Sequence, residues 1–409
     1  MKDVKYWLWL VTRYGVGPQR VGQVLEQFGS PQAAFLAQPE ELDCLPLPLA
    51  KALSDHSMTQ PERILADCER LGVRIMTQDH EDYPRRLMDI PDPPRVLYVW
   101  GQLPPMDDRV AIGVVGTRKA SGYGQRAAHY LGRELSRGGA VVVSGLAAGI
   151  DTCALRGALE GGGTPVAVVG GGVDVPYPRE NRQLYAQIAA SGAVVSEYPP
   201  GTENRAGHFP VRNRIISGFS IGTVVVETDG TGGSMITADL VRKQGRDLYA
   251  VPGSMDARLS RGCNTLIQQG ATAVTHANDL LRPYADRFAL NPERTAPMNG
   301  RAPEPYLFGD WHEPRQGSLR LDGGPKVAPP KPKPAPGGMV IRRGDSDASD
   351  DQREILKAMG DEVWQVEQLA LHLGKDSRRL QGTLTMLTIN GYVREMPGKL
   401  FVRLTDTIK

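Results

Sequence analysis

Two strand-and-loop units between residues 110 and 149 constrain the fold more than any other feature of the sequence. Val110–Val115 and Val141–Val143 are short apolar runs rich in β-branched residues, which is typical of parallel strands covered by helices on both faces. A glycine-rich loop and a helical pattern follow each run. Such turns lie at the carboxyl edge of an open α/β sheet, where backbone N–H groups can receive a phosphate. The stretch therefore predicts a phosphate site within an α/β domain.

The alternation of strand and helix signals continues to about residue 290. Two shorter strands before the central units, Val73–Thr77 and Val96–Trp100, extend the sheet. The order predicts the α/β class with an extended, doubly wound parallel sheet of the Rossmann-like type. Four further strands are predicted at Pro165–Val169, Ala193–Ser196, Thr223–Glu227 and Leu248–Val251.

Glycines, hydroxyl groups and arginines recur in the loops after these strands. Residues 109–285 contain 16 Arg and 2 Lys against 13 acidic residues, and arginine both binds phosphate in a bidentate manner and stacks on bases. A glycine-rich turn can also serve only to close the chain, and an arginine-rich composition can reflect genome bias. The placement of these residues in the loops is therefore the stronger argument. The first two loops bring to the predicted phosphate site Gly116, Thr117, Arg118, Ser144 and Gly145.

A chain of 409 residues exceeds one ordinary domain. Eleven of the 32 prolines lie between residues 292 and 336, and such a segment packs no core. We predict four segments: a small all-helical module of the SAM or helix-hairpin-helix type (1–72), an extended Rossmann-like domain that binds DNA (73–290), a proline-rich linker (291–347) and a winged-helix domain (348–409).

Both flanking modules allow two interpretations. The Gly15–Pro18 turn is typical of helix-hairpin-helix modules, which offer backbone N–H groups to DNA, but helical packing modules use the same turn. A winged helix, with its third helix predicted at Ser377–Asn390, contacts DNA in some proteins and protein in others.

Several functional classes are disfavoured. The net charge of +2 says little by itself. No run of about 18 apolar residues occurs, so we expect a cytoplasmic protein with no membrane segment. Four widely spaced cysteines and seven scattered histidines indicate neither a disulfide framework nor a metal site. The G-x-S-x-G at 218–222 follows a helix and precedes a strand, the reverse of a nucleophile elbow. With neither a P-loop nor G-x-G-x-x-G, we expect no cofactor.

One enzymatic interpretation stays open. The loop over 227–233, ETDGTGG, resembles the glycine-rich loop of nucleoside-monophosphate phosphoribohydrolases of the lysine-decarboxylase-like type, which bind a phosphorylated nucleoside on a similar sheet. The order of their P-G-G-x-G-T-x-x-E motif is not reproduced here.

The central domain resembles the DNA-processing protein A family over about residues 82–273. Eight motifs carry the resemblance in order: GTR, SGLAAGID, GGGVDVPYPRENRQL, SEYPPG, FPVRNRIISG, VVETDGTGGSMITA, GRDLYAVPG and GCNTLIQQGA. The resemblance implies a protein without turnover chemistry that binds incoming single-stranded DNA in natural transformation, protects it, and loads the RecA recombinase onto it as a homodimer.

The resemblance also assigns binding residues, with Arg118 of the G-T-R motif gripping phosphate. Three positions depart from the family pattern: Leu155 replaces a common His, Gly232 a common Ser, and Arg179 a common Lys, which keeps the charge. Three aromatic residues at the same edge, Tyr123, Tyr177 and Phe209, are expected to stack bases. The motifs add as DNA contacts Arg179, Asn181, Arg212, Asn213, Arg214, Gly233 and Ser234.

Overall fold

A computed structural model of the protein describes residues 3–298, 350–359, 363–389, 392–396 and 400–403. The chain divides into two compact units, 1–313 and 314–409. No helix in the described ranges is long and apolar enough to cross a membrane.

Six short helices precede the sheet. Proline occupies the first turn of α2 to α5, where its missing N–H costs no hydrogen bond. Gly29 and Gly72 end α2 and α6 in the left-handed region, at φ +76° and +64°. These helices are α1 Val4–Thr12, α2 Pro18–Phe28, α3 Pro31–Leu36, α4 Pro39–Leu42, α5 Leu47–Leu53 and α6 Thr59–Leu71.

The rest of the first unit alternates strands and helices, as the sequence predicts. Its strands are β1 Val73–Thr77, β2 Val96–Gly101, β3 Ala111–Val115, β4 Val141–Ser144, β5 Val166–Val169, β6 Ala193–Ser196, β7 Gly222–Val225, β8 Asp247–Ala250 and β9 Thr272–Ala273. Its helices are α7 Arg85–Met88, α8 Gly122–Arg137, α9 Ile150–Glu160, α10 Arg182–Ser191, α11 His208–Phe219, α12 Gly233–Lys243, α13 Arg261–Gln268 and α14 Asn278–Leu281.

The nine strands form one sheet in the order β1-β2-β6-β5-β4-β3-β7-β8-β9. The seven strands β6-β5-β4-β3-β7-β8-β9 are parallel to their neighbours, which confirms the Rossmann-like sheet. The strands β1 and β2 extend it as an antiparallel pair beside β6. Ile112 of β3 pairs with Val142 on one side and Gly222 on the other. The chain therefore winds outward in both directions from β3, and ligands of such folds bind where this reversal leaves a crevice.

The side chains of each strand point alternately into two separate hydrophobic cores, one on each face of the sheet. Ile112 and Val114 face a core shared with α8, α9, α10 and the N-terminal helices, including the fully buried Trp9. Val115 and Val143 face the opposite core beneath α11, α12 and α13. The N-terminal helices thus pack against the same layer that supports the sheet.

The second unit contains α15 Asp350–Met359, β10 Val363–Gln365, α16 Val366–Leu373, α17 Ser377–Ile389, β11 Val393–Met396 and β12 Leu400–Arg403. Its sheet has the order β10-β12-β11 and is antiparallel. The predicted winged helix is confirmed, and α17 corresponds to its predicted third helix. Asn390, the last residue of the predicted third helix, lies outside the described residues.

The predicted linker begins with residues that pack on the first unit. The backbone N–H of Asn291 donates to the Gly138 oxygen at 2.9 Å, and that of Ala296 donates to the buried Glu134 carboxylate at 2.8 Å. Residues 299–347 of the linker lie outside the described residues, and the predicted segment boundaries stay predictions.

Candidate functional site

A cleft of about 710 Å³ opens at the carboxyl ends of β3 and β7, where the strand order reverses. The loops after these two strands form its walls, and the first turns of α11 and α12 close it. Because parallel strands place all their carboxyl ends at one edge, segments far apart in sequence meet here.

Arg118 stands in the loop after β3. This loop packs against the start of α9, since a Cβ on Gly116 would lie 2.6 Å from Cγ1 of Ile150. It also contacts the loop after β7, where the Thr117 N–H donates to the Glu227 backbone oxygen at 2.8 Å. The Arg118 side chain is exposed and forms no hydrogen bond or ion pair within the described ranges. Its guanidinium lies over the ring of Phe209, 4.9 Å from the centroid. Its hydrogen-bonding groups are therefore free for a ligand.

Glu227 closes the first turn of α8. Its buried carboxylate accepts the Ser121 N–H at 2.9 Å and the Ser121 hydroxyl at 2.5 Å. A Cβ on Gly124 would collide with this carboxylate. Glycine at this position therefore makes room for the Glu227 side chain rather than for a phosphate. The anion site expected at this first strand-to-helix turn is thus filled by a side chain of the protein itself.

The first turn of α12 is open to the cleft instead. Gly232 precedes the helix at φ +82°, and Gly233 and Ser234 line the cleft. The first N–H groups of a helix have no intrahelical acceptor, and the helix dipole favours an anion there. The Ser234 hydroxyl donates to Oγ1 of Thr228 at 3.0 Å, which fixes the loop after β7 against the helix.

Arg212 forms the floor of the cleft from α11. It is only 4% exposed; its Nη1 donates to the backbone oxygen of Gly145 at 2.6 Å and also to that of Val168. Burial lowers the pKa of this guanidinium. A Cβ on Gly145 would lie 2.7 Å from both terminal nitrogens of Arg212, so only glycine permits this approach.

Asp151 places a carboxyl group beside Arg212. Burial raises its pKa to about 6, while Arg212 and the N–H groups of Ala147 and Gly145 oppose the shift. The Gly145 N–H donates to its Oδ2 at 3.1 Å. At neutral pH this charge offsets part of the positive charge of the floor, which leaves Arg118 and Lys119 at the rim as the accessible cations.

Two aromatic rings lie beside these cations. The rings of Tyr177 and Phe209 are 5.3 Å apart with 39° between their planes, and both line the cleft. Tyr177 is 43% exposed. Tyr123, the third aromatic predicted here, lies elsewhere: its hydroxyl donates to the Pro252 oxygen at 3.1 Å, and it does not line the cleft.

The structure does not bring every predicted residue to the cleft. Ser144 is fully buried and donates to the Val114 oxygen at 2.6 Å. Asn181 is buried and donates to the Leu146 oxygen and the Thr152 hydroxyl. Arg214 is buried in ion pairs with Glu197 and Asp92 at 2.7 and 3.2 Å. These three side chains hold the loops in place from below, and their hydrogen-bonding groups are already used. Arg179 is exposed but lines a different cavity.

The cleft does gather most of the remaining predicted residues, together with some that sequence reasoning missed. Asn213 lines it, and its side-chain nitrogen donates to the Gly233 oxygen at 3.3 Å. Lys119 had a signal in the sequence, since it directly follows the G-T-R motif. The missed lining residues include Lys119, Asp151, Asn204, Thr228 and Thr231.

The family models and the relatives found by sequence agree on one family. Residues 74–285 match the model of DNA recombination-mediator protein A, and residues 328–399 match the DprA winged helix domain. The chain is 31% identical to Protein Smf of Escherichia coli over 99% of this chain and 96% of that protein. It is 36% identical to Protein Smf of Synechocystis over 68% and 71% of the two chains.

A solved structure supports the same assignment. The crystal structure of DNA processing protein A from Streptococcus pneumoniae resembles this protein with a TM-score of 0.62 and 34% identity. The similarity covers 69% of this chain and 98% of that one.

Proposed function

Because the chain belongs to the DNA recombination-mediator protein A family, we propose that it binds single-stranded DNA in the cleft between the loops after β3 and β7. Proteins that bind single strands combine cations along the backbone path with aromatic rings on which the bases stack.

The pairing of Tyr177 and Phe209 with Arg118 is the observation that carries this proposal. The exposed Tyr177 ring offers a face to a base, and the Arg118 guanidinium, 4.9 Å from the Phe209 centroid, is positioned for the adjoining phosphate. In a duplex the base faces are covered by their neighbours, so this arrangement favours a single strand.

The phosphate contacts we propose come from the open parts of the cleft. Arg118 supplies a bidentate donor, and the first N–H groups of α12 at Gly233 and Ser234 supply a second anion site. Arg212 and Asn213 contribute from the floor. Gly116 lets the loop after β3 pack against Ile150, which holds Thr117 and Arg118 at the cleft.

We further propose that the protein acts as a homodimer in natural transformation, protecting incoming DNA in the cytoplasm and loading RecA onto it. Two linked clefts make the second contact intramolecular and raise avidity by about 100-fold or more. Many separate phosphate contacts hold the strand yet release it one contact at a time to a growing filament.

The binding proposal is tested by fluorescence anisotropy with labelled single-stranded and double-stranded oligonucleotides of equal length. We expect a preference for the single strand that Tyr177→Ala weakens by roughly 5-fold or more, the loss for one stacked base. Tyr123→Ala is the matched control, since it removes an exposed tyrosine outside the cleft. Equal affinity for both forms of DNA, or equal losses in both variants, would contradict the proposal.

The dimer and loading proposals have separate tests. Sedimentation of the full chain at micromolar concentration is expected to give a dimer, and a purely monomeric species contradicts it. RecA assembly on single-stranded DNA coated with a binding protein is expected to accelerate when the full chain is added. No acceleration would leave a protein that binds and protects DNA only.

We propose binding without turnover. Incubation with nucleoside monophosphates, followed by chromatography, is expected to release no free base. Free adenine above a blank without protein would instead support the phosphoribohydrolase-like interpretation.

A further inference from the structure

A second cavity, of about 830 Å³, lies beside the antiparallel edge of the sheet. Its apolar wall includes Val73 of β1 and Trp100 of β2, which are paired in register. Trp100 is half-buried. Its polar wall comes from the turn before α10 and the start of that helix, which place Arg179 and Arg182 at the cavity.

The two arginines have their hydrogen-bonding groups free. Both are exposed, and within the part of the chain that the structure describes neither guanidinium forms a hydrogen bond or ion pair. Asp174 is the acid that lines this cavity, and its carboxylate accepts the Gly201 N–H at 2.8 Å. A large aromatic ring with two unpaired guanidinium groups is the combination that binds a base and its flanking phosphates.

The two cavities share a rim. Tyr177 lines the cleft and Arg179 lines the second cavity, and only Pro178 separates them. The hydroxyl of Tyr185 fixes this rim through two hydrogen bonds. It accepts the Tyr177 N–H at 3.2 Å and donates to the Tyr177 backbone oxygen at 3.3 Å. A single DNA strand with a base stacked on Tyr177 therefore needs to pass only Pro178 to reach Arg179.

We propose that the second cavity continues the single-strand path. One base stacks on Trp100, and the phosphates on either side of it are bound by Arg179 and Arg182. The inference rests on the proposed function, since it extends the strand from the cleft. It also explains why Arg179, which the sequence assigns to DNA binding, does not line the cleft.

The test compares oligothymidylates of about 4 and about 16 nucleotides, which span the site sizes of single-strand-binding folds. The full chain and four variants are titrated with each: Trp100→Leu, Arg182→Ala, Arg118→Ala for the cleft and, as a matched control, Arg282→Ala. Arg282 is exposed beside Tyr284, whose hydroxyl contacts Asp247 at the opposite edge of the sheet.

We expect Trp100→Leu to lower the affinity for the long oligonucleotide by roughly 5-fold or more and to leave the affinity for the short one unchanged. Arg182→Ala is expected to act in the same direction by roughly 2-fold or more, as for one lost phosphate contact. Quenching of tryptophan emission should accompany the long oligonucleotide only and be reduced in Trp100→Leu. Arg282→Ala should bind both lengths as the unaltered chain does.

The outcomes separate this inference from the proposed function. If Trp100→Leu and Arg182→Ala both bind the two lengths normally while Arg118→Ala weakens them, the second cavity is not on the path and the cleft still is. If neither length binds the unaltered chain, the proposed function itself fails. Thermal melting checks each variant for folding. Should Trp100→Leu fail to fold, the exposed Arg182 decides, and normal binding of the long oligonucleotide by that variant overturns the inference.

Discussion

Replacing Arg118 by alanine tests the cleft at the side chain most available to a ligand. The side chain is exposed. Within the described residues, its one contact with an aromatic ring is with Phe209. Among the residues that the structure describes, no buried group loses a partner when this side chain is removed, so the variant should fold normally. The loss is then confined to one phosphate contact and to the cation above the ring.

The size of the effect follows from counterion release. Each phosphate contact with a single strand contributes about −0.7 to the slope of log affinity against log salt. Arg118→Ala should therefore flatten the slope by about 0.7. Between roughly 50 and 200 mM salt, the ratio of unaltered to variant affinity should shrink by about 2.6-fold. Arg118→Lys keeps the charge and should keep the slope, while losing bidentate geometry and with it some affinity.

The assay is anisotropy with one labelled oligonucleotide across at least four salt concentrations. Arg282→Ala serves as the control for removal of one exposed positive charge. A slope in Arg118→Ala equal to that of the control would refute the reasoning, because it would mean that Arg118 contacts no phosphate.

Three further predictions concern stability and reactivity. Gly132→Ala places a methyl group against the Ala154 oxygen where α8 and α9 meet, so chemical denaturation should show a loss of about 1–3 kcal/mol; Gly207→Ala, with open space around it, should change little, and equal losses contradict the packing argument. Burial raises the pKa of Asp151 to about 6, so the stability that its protonated form contributes is full below about pH 4 and is lost as pH rises through 6. Relative to Asp151→Asn, the free energy of unfolding of the unaltered chain should fall by about 2–3 kcal/mol over that range. Parallel pH profiles of the two proteins would refute this prediction. Cys44 is the exposed thiol of the four, and burial raises the pKa of the other three to about 11 or 12; a disulfide reagent at pH 8 should label one thiol rapidly, and fast labelling of two or more contradicts this burial.

The parallel sheet was predictable because its strands are continuous apolar runs that end in glycine-rich loops. Val110–Val115 and Val141–Val143 become β3 and β4 almost residue for residue. Strand direction was not predictable, because an apolar run carries no sign of which way its neighbour points. The strands β1 and β2 therefore extend the sheet as predicted, but in antiparallel order.

The site was predictable as a set of loops and less so as a set of side chains. Arg118, Arg212 and Arg214 look alike in sequence, yet the first is exposed, the second forms the floor, and the third is consumed by Glu197 and Asp92. Which carboxylate meets which guanidinium is decided by tertiary packing.

Glu227 shows the same limit from the other direction. It stands 106 residues from Ser121, the residue whose hydroxyl and N–H it accepts. Only the parallel pairing of β3 with β7 makes the two neighbours. A local pattern could therefore identify the first turn of α8 as an anion site, but not that the protein already supplies the anion.

Hydrogen–deuterium exchange of the full chain, with and without an oligothymidylate, tests most directly whether a single strand occupies the cleft. Bound DNA should slow exchange in the loop 116–119, in the segment 204–213 that contains Phe209 and Arg212, and in residues 230–236 at the start of α12. Because the first N–H groups of α12 have no intrahelical acceptor, slowed exchange there is the clearest sign of a bound phosphate. Saturating DNA that leaves all three segments unchanged and slows exchange only in other parts of the chain would contradict the account.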